Sequence, residues 1–249
     1  MIDWEIGELP LIAAVFVLAG VVKGATGMGL PTVAMGMLGA LMSPVAAASL
    51  MIIPSFVTNV WQLAAGPSFG ALARRLWPMM LAVVAATLAA SSFLTSLPAT
   101  WTTAALGAAL AIYAAFTLLA RQLSVPPRAE SWLGPAIGAA TGLVTGATGV
   151  FVMPAVPYLQ ALGLERDDLV QALGLSFTVS TVALAAGLVL GGAFDLGNVG
   201  LSTLAILPAL AGMWIGTRIR RRVAPATFRK WFLLSLLILG LELASRILR

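Results

Sequence analysis

Lys23 stands at the head of a glycine run, Lys23-Gly24-Ala25-Thr26-Gly27-Met28-Gly29, inside an otherwise apolar stretch. Glycines let successive backbone N–H groups turn towards one point. Pro31, just beyond, suits the first turn of a new helix, whose N-terminus carries partial positive charge. With the Thr26 hydroxyl and the Lys23 ammonium added, the chemistry is that of holding a small oxyanion. Thr145-Gly146-Ala147-Thr148-Gly149 repeats these parts, with threonine where the first loop has lysine. The binding set expected from the two loops is Lys23, Gly24, Thr26, Gly27, Gly29, Thr145, Gly146, Thr148 and Gly149. Such glycines have a second use, the close packing of apolar helices.

A neutral polar stripe accompanies the loops. Ser55, Asn59 and Gln62 are spaced i, i+4, i+7 on one helix face, and Ser176 and Ser180 form an i, i+4 pair further on. Asn59, Gln62, Ser176 and Ser180 join the expected binding set, since neutral groups bind an anion by hydrogen bonds without titrating. Helix–helix hydrogen bonding is the competing use. Pro54 lacks an N–H and frees a carbonyl one turn back. The chain has no His and no Cys, which removes the commonest proton shuttle, the commonest metal ligand and thiol chemistry. No carboxylate falls at the middle of an apolar segment. A Ser–Lys dyad is all that remains for an intramembrane enzyme, and no GxxxxGK[ST] nucleotide loop occurs. The expectation is a binding and transport protein, not an enzyme, with no cofactor and no metal.

The elements that must position these residues follow from hydropathy. Hydrophobic residues make up 60% of the 249 and charged residues 9%, against about 25% charged in a soluble domain. No charge occurs from Gly24 to Ala73 or from Leu76 to Ala120. About 20 apolar residues make one helical span, so the chain is an all-α polytopic membrane protein. Its basic residues cluster at span ends, where orientation signals belong, and nucleic acid is not an expected partner. The lipid bilayer and a small anion are the expected partners, and a homo-oligomer is compatible with them.

GVVKGATG at Gly20–Gly27 and GLVTGATG at Gly142–Gly149 agree at six of eight positions, 122 residues apart. Pro98-Ala99-Thr100-Trp101 recurs as Pro225-Ala226-Thr227-Phe228. Two homologous halves are expected, residues 1–121 and 132–249, joined by the polar linker 122–131. The first half divides into apolar segments 11–42, 45–65, 76–96 and 101–120; the second into 133–162, 169–190, 199–217 and 227–248. The leading segment of each half is too long for one span and too short for two, since 32 residues make about 48 Å of helix. Each is interrupted by glycines, which predicts two half-helices of about 12 residues meeting near the bilayer centre. Lys23 would then lie about 18 Å from the interface, too deep for its stem to snorkel out.

Charge placement decides whether these broken segments cross. If all eight segments cross, the basic residues divide almost evenly between the two sides. If the leading segments are re-entrant hairpins, Arg74, Arg75, Arg121, Arg128, Arg166, Arg218, Arg220, Arg221, Arg222, Arg229 and Lys230 lie inside, and only Arg246 and Arg249 outside. That obeys the positive-inside rule. Each half then crosses three times, so the halves are inverted: two repeats, each a broken, re-entrant hairpin plus three transmembrane helices. Broken helices in corresponding positions of inverted halves point to a transporter binding site.

The paired glycine loops at the head of two homologous halves, with Asn59 and Gln62 following Pro54, resemble the sulfite exporter TauE/SafE family (TSUP permeases) over essentially the whole chain. The resemblance implies a multi-pass bacterial inner-membrane permease that exports sulfite or an organosulfonate such as sulfoacetate. Import or export of another small anion is the alternative, followed by a membrane assembly factor. Phe151 stands where the first loop has Gly29.

Overall fold

The computed structural model describes residues 9–119, 123–194, 199–220 and 225–248, and every regular element among them is helical. The expected residues Arg121, Gln122, Arg221, Arg222 and Arg249 lie outside the described residues. In the first half, α1 is Leu9–Thr26, α2 Leu30–Leu41, α3 Pro44–Ala64, α4 Phe69–Ser96 and α5 Ala99–Leu119. In the second, α6 is Pro127–Thr148, α7 Ala155–Ala161, α8 Arg166–Leu190, α9 Val199–Leu204, α10 Ile206–Ile219 and α11 Pro225–Ser245. A 3-10 turn, Arg246–Leu248, follows. The polar stretch 122–131 is therefore not all linker, because Pro127 opens α6 from its first turn.

Among the described residues, seven helical segments are long and apolar enough to cross a membrane: α1, α3, α4, α5, α8, α9 with α10, and most of α11. Six of them correspond to the six spans expected from the sequence. The seventh, α1, is the first arm of the leading hairpin. α6 has the length, 22 residues, but carries more glycine and threonine.

The hairpin arms are unequal, 18 and 12 residues in α1–α2 and 22 and 7 in α6–α7, not two of about 12. Gly24 and Gly146 do not break their helices. The break comes where the backbone turns left-handed, at Gly27 (φ 79°) and Gly29 (φ 105°) in the first hairpin and at Gly149 (φ 73°) in the second. Pro31 then sits in the first turn of α2, as its missing N–H allows.

Helix directions follow from which residues meet. A Cβ on Gly20 would reach the Ala209 carbonyl oxygen and one on Gly24 the Met213 carbonyl oxygen, so α1 and α10 run parallel. Gly142 and Gly146 meet Val83 and Thr87 in the same sense, so α6 runs parallel to α4. α3 and α8 run antiparallel, because Asn59 meets Thr181 while Gly174 packs on Leu63. α5 and α11 are antiparallel too, with Gly107 on Ala244 and Gly240 on Ala111.

Hydrogen bonds tie each hairpin to its neighbours. Lys23 and Gly27 of α1 and its loop bond Asn59 and Gln62 of α3 in the same order, so α1 and α3 run in the same sense, and α2 packs against both. In the second half, the Val125 N–H donates to the Ala161 carbonyl at 2.9 Å, tying the entry of α6 to the exit of α7.

Proline accounts for two irregularities. Pro54 leaves the Leu50 carbonyl without its helical donor, and the buried Ser202 hydroxyl donates to that oxygen at 2.7 Å. Pro208 likewise cannot donate to Leu204, and the α9–α10 helix is interrupted at Ala205. Near the end of α11 Glu242 and Arg246 form an i, i+4 pair at 3.0 Å, and Arg246 also donates to the Ala40 carbonyl.

Candidate anion site

Several of the candidate side chains gather where α3 crosses α8. Lys23 lies 14 residues into α1, about 21 Å along it, and is 3% exposed. Its ammonium donates to the Asn59 carbonyl oxygen. Asn59, fully buried, donates in turn from Nδ2 to Thr181 Oγ1 at 3.2 Å. The Thr181 hydroxyl in turn donates to the Phe177 carbonyl at 2.7 Å. The result is a chain of polar groups running from α1 through α3 into α8.

A turn along α3, Gln62 Nε2 donates to the carbonyls of Gly27 and Val170, both at 2.9 Å. One amide thus fastens the tip of the first hairpin to the start of α8. Its Oε1 is buried and accepts no hydrogen bond.

Among the described residues the ion pairs are Arg75–Glu130 and Glu242–Arg246, and neither involves Lys23. An ammonium has three donors, and the one acceptor that Lys23 meets is neutral. Ser55, Ser176 and Ser180 are fully buried with unpartnered hydroxyls. Buried polar groups left without partners are uncommon, because each forfeits its hydration. A full positive charge and unpartnered hydroxyls on the two crossing helices are groups able to donate hydrogen bonds to an anion.

The loop threonines are otherwise engaged. Thr26 Oγ1 lies 2.8 Å from the Val22 carbonyl and 2.7 Å from that of Met28, and accepts the Met28 N–H. Thr148 Oγ1 donates to Val144 at 2.7 Å and accepts the Val150 N–H at 3.2 Å. Thr145 donates to the Thr141 carbonyl at 2.7 Å. These hydroxyls cap the helix ends and hold the turns.

Gly24 and Gly146 are packing positions. A Cβ on Gly24 would stand 2.1 Å from the Met213 carbonyl oxygen, and one on Gly146 2.5 Å from that of Thr87. At Gly27, Gly29 and Gly149 the nearest neighbours of an added Cβ are Val170, Val22 with Phe232, and Met35. The loops therefore do not meet through their glycines. The second loop reaches α8 through Phe151, whose ring lies 5.6 Å from that of Phe177, one residue beyond Ser176. Phe151 thus takes the place of a glycine because its ring is what contacts α8.

Of the expected set, the structure joins Lys23, Asn59, Gln62 and Gly27 directly. Ser176 and Ser180 lie on the crossing partner. Sequence reasoning missed Gln171, 1% exposed, which donates to the Leu63 and Gly66 carbonyls and accepts the Ser68 N–H, closing the α3–α4 turn. Periodicity carries no sign of it. Ser202 was detectable in principle, since the carbonyl freed by Pro54 requires a donor.

No curated protein and no solved structure matches the chain. A family model described as Sulfite exporter TauE/SafE matches residues 12–243. That span holds both hairpins, the α3–α8 crossing and every residue of the candidate site, and the chain accordingly belongs to the sulfite exporter TauE/SafE family.

Proposed function

We propose that the chain exports a small sulfur-containing anion, sulfite or an organosulfonate such as sulfoacetate, across a bacterial inner membrane. The anion is taken up between the two glycine-rich hairpins at the α3–α8 crossing, with Lys23 supplying the positive charge. The observation that carries this reading is the buried Lys23 ammonium, hydrogen-bonded to a neutral amide and without a carboxylate partner among the described residues. An intramembrane cation is costly, and such residues mark ion pathways. Lys23 is 3% exposed, so the anion reaches it when a hairpin shifts. The ammonium then exchanges Asn59 for the anion, and Gln62 keeps the hairpin tip attached to α3.

The two halves are inverted about an axis in the membrane plane. Two features support this. Counterpart helices, α3 with α8 and α5 with α11, pack antiparallel. Asn59 also bonds the residue 122 positions on, its own counterpart by the sequence repeat, and a residue that touches its counterpart lies on the relating two-fold axis. On this reading Asn59, and Lys23 beside it, lie at mid-depth. With the interior negative, outward movement of an anion is favoured by about 2.3 kcal/mol per charge per 100 mV. Export thus needs no obligatory proton partner.

The test is flux of sulfite, thiosulfate, sulfate, sulfoacetate and taurine in proteoliposomes holding only this chain, with anion-dependent thermal stabilisation of wild type and Lys23→Met. One or more of the anions should move and should stabilise wild type alone. Equal stabilisation of both proteins would place the lysine outside the site, and absence of flux for every anion would favour an assembly role.

A further inference from the structure

A second basic site lies at the end of the molecule where α5, α7, α8 and α11 converge. Its cavity, about 800 Å³, is lined by Arg229 and Lys230 of α11, Gln160 of α7 and Thr117 of α5, with Leu123 and Leu233 among its apolar walls. No carboxylate is among the described lining residues. The volume matches pockets that bury drug-sized organic ligands, about 300–1,000 Å³, and far exceeds one sulfur oxyanion. The cavity's lining and volume suit an occupant that is both anionic and bulky, with an apolar part.

The surroundings identify the source. Leu123 and Phe116, which line the cavity, are 53% and 38% exposed, a surface suited to acyl chains. Trp231, next to Lys230, is 69% exposed. A tryptophan beside basic residues at a helix end marks the headgroup level of a bilayer. Basic pockets between helices at that level suit anionic headgroups.

We infer that this cavity holds the headgroup of an anionic phospholipid, its phosphate between Arg229 and Lys230 and its chains leaving over Leu123 and Phe116. The site joins α11 to α7, so the bound lipid braces the second hairpin where it leaves the membrane. The inference stands apart from the transport reading, because neither basic residue belongs to the Lys23 cluster.

The experiment is native mass spectrometry of the full chain in detergent, titrated with dioleoyl-phosphatidylglycerol, dioleoyl-phosphatidylcholine or glycerol 3-phosphate. Wild type should prefer the phosphatidylglycerol, and Arg229→Gln/Lys230→Gln should weaken its binding about thirtyfold, at the usual worth of two basic residues near an anionic surface. Phosphatidylcholine binding should not change. Arg229→Lys/Lys230→Arg should keep the preference, which separates lost charge from lost fold. Arg218→Gln/Arg220→Gln, outside the cavity, should keep it as well. Equal loss in that control would reduce the effect to general surface charge, and saturation by glycerol 3-phosphate at the same concentrations would assign the site to a soluble anion. Either result overturns the inference.

Discussion

Lys23 and Asn59 should be thermodynamically coupled, and a double-mutant cycle measures by how much. Asn59→Leu removes the acceptor of a buried ammonium that has no carboxylate partner among the described residues. Removing one partner of a buried charged pair typically costs about 3–5 kcal/mol. The lower end applies here, because the lost partner is a neutral amide, and the weaker bond to Thr181 is lost with it. Lys23→Met leaves Asn59 Oδ1 unpartnered, at about 1–3 kcal/mol, but it also removes the desolvated charge, which offsets part of that. In the double variant both partners are apolar, a replacement that is often near neutral. The double variant should therefore be more stable than Asn59→Leu alone by about 2 kcal/mol, or roughly 4–8 °C in Tm for a chain of this size. The assay is thermal unfolding in one detergent at a fixed scan rate. All three variants should fail to transport, so stability and flux separate in the double variant. Additivity within about 0.5 kcal/mol would refute the contact as an energetic link and remove Lys23 from the crossing.

Further predictions concern topology, packing and the proline-freed carbonyl. The chain has no cysteine, so single cysteines at Gly70, Gly163 and Gly200, where an added Cβ meets nothing within 4 Å, give clean accessibility signals. Gly70 and Gly163 should label from the cytoplasm and Gly200 from outside, whereas external labelling of Gly70 would restore eight simple crossings. Gly146→Val pushes a side chain into the Thr87 carbonyl, 2.5 Å from the added Cβ. It should cost about 3 kcal/mol or more, the upper end for overpacking, while Gly70→Ala should stay within about 0.5 kcal/mol; comparable Tm values for the two would count against the packing role of Gly146. Ser202→Ala strands the Leu50 carbonyl and should cost about 1–3 kcal/mol. Adding Pro54→Ala restores a helical donor to that oxygen and should recover much of the loss, and failure to recover would sink the account.

The sequence by itself determined the class of the molecule and its segments. Long uncharged runs cannot be covered by water, so the spans are legible from hydropathy alone, and the predicted 45–65 and 169–190 fall on α3 and α8. The duplicated glycine loops located the breaks, and Pro31 marked the start of α2, because proline and left-handed glycine act on their own backbone. What depends on partners distant in the chain was not legible. Gly24 and Gly146 carry the same local signal as Gly27 and Gly149, yet the first pair packs helices and the second turns the chain. Only the approach of α10 and α4 separates the two uses. Arm lengths escaped for the same reason: a glycine inside a helix weakens it locally, but close packing on a neighbouring backbone compensates and carries α1 on to Thr26. The site itself was half legible. A lysine deep in an apolar run announces a need for a partner, and the i, i+4, i+7 spacing of Ser55, Asn59 and Gln62 announces a polar face. That Asn59 is the residue the lysine meets, and that Thr181 stands behind it, was decided by the antiparallel crossing of α3 and α8. Hydropathy and periodicity act within a segment, whereas which segments meet is set by packing across the whole fold.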